Sequence, residues 1–124
     1  MSFDWSEYLD LAQELTGRAT GPSSQEAKLR SAISRAYYAA FCKARNHLRD
    51  NEGLPIPKVD VHRYVRDQFK NSPDKARKEV GENLNRMRKD RNKADYDDRI
   101  TRLADVTTKA VRLADQVIHR LRSL

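Results

Sequence analysis

Leu29, Ile33, Ala36, Tyr37, Ala40, Phe41, Ala44 and Leu48 fall at helical spacing, so an α-helix drawn through them is apolar along one side for about five turns. A strand alternates its side chains every residue and cannot gather this set on one face. The same period recurs along the chain. Trp5, Tyr8, Leu9, Ala12 and Leu15 precede Gly17, and Asp4 with Glu7 three residues later reads as a helix start. Val61, Tyr64, Val65 and Phe69 mark a shorter helix after the break Gly53-Leu-Pro-Ile-Pro57. Ile100, Leu103, Thr107, Ala110, Ala114, Val117 and Leu121 mark a last helix from about Asp98 to Ser123.

Between these, Ser72-Pro73 is read as the opening of a fourth helix, with proline in the first turn, and the loop Gly17–Ser24 as ending in a serine cap, Ser23 or Ser24. No segment reads as a strand. The expected fold is therefore all-α: an up-and-down antiparallel bundle of about five helices, three long and two short, in one domain spanning residues 1–124. Only 4 glycines and 4 prolines interrupt the pattern. The single cysteine, Cys42, excludes an internal disulfide framework and a cysteine-rich metal site. No apolar run approaches the roughly 18 residues of a membrane span, and the first residues are acidic rather than leader-like, so a cytoplasmic, membrane-free protein is expected.

The fourth helix carries the anomaly. Val80, Leu84, Met87, Arg91 and Ala94 are spaced 4, 3, 4 and 3, which puts Arg91 on a burying stripe. Arginine does not shed its proton, so a side chain there must be paired, hydrogen-bonded or set at a wet cleft where an anion reaches it. Pairing with Asp95, four residues on, is the plain alternative.

Charge points the same way. The formal net charge is +7, yet residues 1–22 carry a net −3, so the excess basic charge belongs to the rest of the chain. A basic body fits an anionic partner such as RNA, DNA or a nucleotide. On the second helix Arg35, Tyr38, Cys42, Arg45 and Arg49 form a second stripe, expected to lie off the core. Arginines around an aromatic suit either phosphate contact with base stacking or a homodimer contact. No two of His47, His62 and His119 have local metal-ligand spacing, and no metal or other cofactor is expected. His62, at a helix start after the proline-rich loop, is the one histidine read as a distant proton carrier for a cleft.

Arg30-Ser-Ala-Ile-Ser-Arg-Ala-Tyr-Tyr-Ala-Ala-Phe41, followed some 50 residues later by Arg91-Asn-Lys-Ala-Asp-Tyr-Asp97, resembles the HEPN superfamily (higher eukaryotes and prokaryotes nucleotide-binding domain), in its small single-domain prokaryotic branch. The resemblance runs from Asp4-Trp5 to the helix after Arg99. It implies a helical bundle that dimerises and joins two copies of an arginine motif in a shared cleft. In active members that motif is Arg, four to six residues, then His, and it cleaves RNA without metal by attack of the 2′-hydroxyl on the adjacent phosphorus.

Carried over, Arg91 is the motif arginine, neutralising a phosphate, and Asn92 the polar residue that follows it. The departure is at Tyr96, which stands after four intervening residues where histidine belongs. Histidine titrates near 6.5 and exchanges protons at neutral pH, whereas tyrosine near 10 does so poorly. The expected site set is Arg91, Asn92 and Tyr96 for any chemistry, with Arg35, Tyr38, Arg45, Arg88 and Lys93 as nucleic-acid contacts. The favoured reading is a dimeric binding or regulatory module for RNA or a nucleotide, or a partner of a separately encoded protein, such as a nucleotidyltransferase, in a toxin–antitoxin or defence locus. Two alternatives stay open: a metal-independent endoribonuclease using Arg91 with Tyr96, and a helical dimer with only a structural role.

Overall fold

The structure, a computed structural model, describes residues 3–17 and 25–124. These form five α-helices and no strand: α1 Ser6–Gly17, α2 Gln25–Asp50, α3 Val61–Lys70, α4 Lys75–Tyr96 and α5 Leu103–Arg122. The architecture is the expected all-α bundle, with α2, α4 and α5 long and α1 and α3 short. The loop before α2 and its serine cap lie outside the described residues.

Helix α2 is the axis, in contact with each of the other four. Its alanines make that possible. Ala32, Ala36, Ala39, Ala40 and Ala44 are fully buried, and their small side chains let neighbouring helices approach closely on several sides. Ile33, Tyr37, Phe41 and Leu48 supply the bulk between them. Opposite these pack Val80, Leu84 and Met87 of α4 and Ala110, Ala114 and Val117 of α5, all buried. A helix covered nearly all round shows burial beyond a single apolar stripe.

That coverage corrects the expectation for the second α2 stripe. Cys42 is 3% exposed and part of the core. Helix α1 lies over this side of α2: the Arg35 guanidinium sits 5.0 Å from the Tyr8 ring, Arg45 sits 5.7 Å from Trp5, and Lys43 pairs with Asp4 at 2.8 Å. The stripe is an intramolecular seam over much of its length, because the aromatic face of α1 is spent on arginines as well as on aliphatics. Lys43, together with the Ser6 hydroxyl and amide, holds the Asp4 carboxyl well below the usual carboxylate range.

Two helix starts also differ from their expected places. Asp74 caps α4, its carboxylate accepting from the Arg77 amide at 2.9 Å, so Pro73 precedes the cap rather than occupying the first turn. Helix α5 begins at Leu103 instead of about Asp98. Its cap, Arg102, is in the left-handed region (φ 56°), and the chain before it is held elsewhere.

What holds it is Arg30. Its guanidinium donates to the carbonyl oxygens of Ala94 (3.0 Å), Asp97 (2.6 Å) and Asp98 (3.1 Å), and its Nε to Glu26 at 3.1 Å. The last carbonyls of a helix lack partners within it and carry partial negative charge, so a cation that bonds three carbonyls at this end both satisfies and neutralises it. The end of α4 that bears Arg91-Asn-Lys-Ala-Asp-Tyr is thereby fixed to α2. Arg30→Ala is expected to lower stability by about 2 kcal/mol and to speed amide hydrogen exchange selectively at residues 97–100, which hydrogen-exchange mass spectrometry would report. Uniform exchange with unchanged stability would contradict this role.

At the far end Glu52 accepts from Arg77 and from the His47 Nε2, the latter at 2.9 Å, while the Arg77 guanidinium lies 4.7 Å from the Phe69 ring and donates to the Gln68 carbonyl at 3.2 Å. His47, 8% exposed, is thus part of a clasp joining the end of α2 to the α3–α4 hairpin.

Candidate functional site

Arg91 lies where its spacing placed it, on the α4 face with Val80, Leu84, Met87 and Ala94, and its side chain keeps 19% of its exposure. Three groups hold the guanidinium. Nη2 donates to the Tyr38 hydroxyl at 2.8 Å, Nη1 donates to the Asn92 side-chain oxygen at 3.1 Å, and Nε lies 2.8 Å from the Asp95 carboxylate. The Nε–H is not aimed at that carboxylate, so Nε is a buried nitrogen with close charge but no aligned hydrogen bond. The group also stacks on Tyr38, with Cζ 5.1 Å from the ring centre. An arginine has five N–H donors. Two are committed here, and each terminal nitrogen keeps one more for an incoming oxygen.

The plain reading and the cleft reading both find a counterpart in this geometry: Asp95 pairs with Arg91 without consuming its fork. Arg88, one turn earlier and half-buried, adds a second positive charge whose field reaches Tyr37 and His62.

His62, from the first turn of α3, closes the cluster. The proline-containing loop delivers the chain to Asp60, which turns in the left-handed region (φ 54°), and α3 starts at Val61. The imidazole stacks on Phe41, centres 4.2 Å apart, and meets the Tyr38 ring edge-on at 6.2 Å. Its Nδ1 is 2.6 Å from the Tyr37 hydroxyl. Burial pushes the Tyr37 phenol well above its ordinary value, so it keeps its proton, and because this buried hydroxyl has no other acceptor among the described residues, donating to Nδ1 is the arrangement that satisfies it. The neutral ring then carries its own proton on Nε2. Burial, with Arg88 and Arg91 adding to it, lowers the His62 pKa to about 4.

The sign of the resulting pH dependence follows from linkage. The unfolded histidine binds a proton below about 6.5, while the folded one resists until about 4, so stability is lost as pH falls through that window. Because the ring is partly solvated, the screened effect is expected to be about 1–2 kcal/mol. Denaturant melts of wild type and His62→Phe at pH 7 and pH 4.5 check this. The wild type should lose this increment more than the variant does, and equal losses would contradict the assignment.

The other expected site residues are dispersed. Arg35 and Arg45 are engaged by α1. Arg35 also flanks a groove with Arg30, Ser34 and Asp95, on the side of α2 next to Arg91. Lys93, two residues and so about 200° round the helix from Arg91, lines a separate groove with Asp90, Arg99 and Val106. Tyr96, the last helical residue, is 75% exposed. The cluster the fold brings together is Tyr37, Tyr38, His62, Arg88, Arg91, Asn92 and Asp95. Tyr37 read from the sequence as core filler, and nothing in its spacing showed that its hydroxyl would serve His62. Arg30, too, gave no signal beyond its place in the α2 motif. Among the described residues no group of three or more His, Cys, Asp or Glu side chains is placed to hold a metal ion, and no helix is long and apolar enough to cross a membrane.

The family model of the HEPN domain matches residues 8–124, nearly the whole chain. The chain belongs to the HEPN domain family. No curated protein and no solved structure matches it. Family membership supports a nucleotide- or RNA-related module, and within this HEPN domain α2 and α4, the helices that carry the resemblance, supply every member of the Arg91 cluster except His62.

Proposed function

We propose that this HEPN domain is a binding or regulatory module that holds RNA or a nucleotide by a phosphate at Arg91. The observation that carries the reading is the Arg91 fork, seated on Tyr38 with Arg88 one turn away, which the Asp95 pairing leaves with an N–H to spare on each terminal nitrogen. Asp95 is the competing anion. It offsets part of the Arg91 charge while no ligand is bound and yields to a phosphate that can engage two donors at once.

Binding is favoured over cleavage on the chemistry of the two candidate proton carriers. Tyr96 projects into solvent, and the His62 lone pair at Nδ1 is committed to Tyr37. An endoribonuclease using Arg91 with Tyr96 would need Tyr96 to act across a dimer, on the cleft of a second copy. The module is proposed to work in the cytoplasm as a homodimer, either holding RNA or a nucleotide itself or partnering a separately encoded protein such as a nucleotidyltransferase.

Titrating purified protein with a short single-stranded RNA in chelator tests the reading, with the RNA run on a gel afterwards. Expected are saturable binding that weakens steeply between 50 and 200 mM salt, tighter binding by Asp95→Asn, and intact RNA. Salt-insensitive binding would contradict the phosphate contact, and metal-independent cleavage lost in Arg91→Ala would establish the nuclease instead.

A further inference from the structure

We propose that the ligand site extends from Arg91 across Tyr38 to His62, where the imidazole Nε2–H donates to an uncharged acceptor on a nucleobase, so that the site takes a nucleotide unit and not a bare phosphate. The proposal rests on the reading of Arg91 as a phosphate anchor and names what lies beyond the phosphate.

Three observations carry it. First, Arg91 and His62 meet the same ring: Arg91 Cζ is 5.1 Å from the Tyr38 centre, and the His62 centre is 6.2 Å from it at an interplanar angle of 72°. Both groups therefore pack against one ring, Arg91 over it and His62 at its edge, so a phosphate held by the guanidinium brings the rest of its nucleotide toward the imidazole. Second, His62 is held in one orientation. Its face is against Phe41 at 4.2 Å, and its Nδ1 lies 2.6 Å from the hydroxyl of Tyr37, a residue only 2% exposed whose O–H has no other acceptor among the described residues. Such rigidity exceeds what a solvated helix-start histidine has, and it leaves Nε2–H without a protein partner among the described residues.

Third, the charge state suits the task. With Arg88 and Arg91 nearby and burial against it, the ring stays neutral at physiological pH, so it offers a directed donor without adding another cation. A second phosphate would be better served by a charged group, whereas a carbonyl oxygen or ring nitrogen of a base is matched by a neutral N–H. Recognition of this kind discriminates well, because a ligand lacking the acceptor leaves the half-buried donor unsatisfied.

The test compares inorganic phosphate, ribose 5-phosphate, the four nucleoside 5′-monophosphates and a short RNA by calorimetric titration against wild type, His62→Phe, His62→Gln and Arg91→Ala. Wild type is expected to bind at least one nucleoside monophosphate 10-fold or more tighter than ribose 5-phosphate. His62→Phe keeps the stacked ring and should bring that nucleotide down to the ribose 5-phosphate level, His62→Gln, with an amide donor, should recover part of the preference, and Arg91→Ala should weaken all the phosphates together. In wild type, the His62 Nε2 resonance should shift on adding the preferred nucleotide, a readout that needs no variant.

A preference unchanged in His62→Phe, or nucleotides bound no better than ribose 5-phosphate, would overturn the proposal while leaving the phosphate site standing. No binding of any phosphate by wild type would overturn both.

Discussion

Gly81→Ala should cost this domain about 3 kcal/mol and lower its melting temperature by roughly 10 °C or more, although the ordinary rule for helix interiors gives the opposite sign. Alanine normally stabilises a helix relative to glycine by about 0.5–1 kcal/mol. At this position a Cβ would stand 2.3 Å from the backbone nitrogen of Lys70 and 2.6 Å from its Cα. Those are main-chain atoms at the end of α3 that cannot rotate aside, so the α3–α4 hairpin would have to spread. Val65 and Phe69, both fully buried, would lose packing as it did. Because α3 carries His62, the same change should loosen the Phe41–His62 stack. A thermal melt decides the matter, and a melting temperature equal to or above wild type would contradict the close approach.

Arg91→Ala should have the largest effect on binding. A charge-assisted, two-pronged contact to phosphate is worth about 1.5–3 kcal/mol, which corresponds to roughly a 10- to 100-fold loss of RNA affinity. The folding cost is expected to be smaller, about 1 kcal/mol, since the lost partners are one hydroxyl, one neighbouring amide and a half-exposed carboxylate. Arg91→Lys preserves the charge but neither the fork nor the stack on Tyr38, so an intermediate affinity is expected. The structural alternative reverses the pattern, with stability falling and affinity unmoved. Circular-dichroism melts and fluorescence titrations on the same preparations separate the two.

The helices were legible in the sequence because burial repeats at a fixed period, and the same period exposed Arg91 as a charge on a core face. What the period cannot show is which neighbour covers a second face. Cys42, Arg35 and Arg45 looked like a free stripe only because the reach of α1 over α2 depends on Trp5 and Tyr8 meeting arginines from a distant segment. Helix ends failed for a related reason. Asp98 was a fair start for α5 on local grounds, but Arg30, some 68 residues away, takes the Asp98 carbonyl and holds that stretch to the end of α4.

The candidate site divides along the same line. Arg91, Asn92 and Asp95 are joined by spacing within one helix and could be read from it. His62 was visible as a histidine at a helix start, yet its neutrality comes first from burial, with two arginines on α4 adding to it, and its hydrogen bond to Tyr37 joins it to another helix, none of which its own segment shows. The donor role proposed for His62 is an alternative to the proton-carrier role expected of it.

The most direct test of Arg91 as the phosphate anchor is the affinity of wild type, Arg91→Ala and Asp95→Asn for one short single-stranded RNA at a single moderate salt concentration. Binding that drops 10-fold or more in Arg91→Ala and strengthens in Asp95→Asn, with all three proteins folded, is the predicted result. Equal affinity across the three would contradict it and return Arg91 to the role of a structural pair.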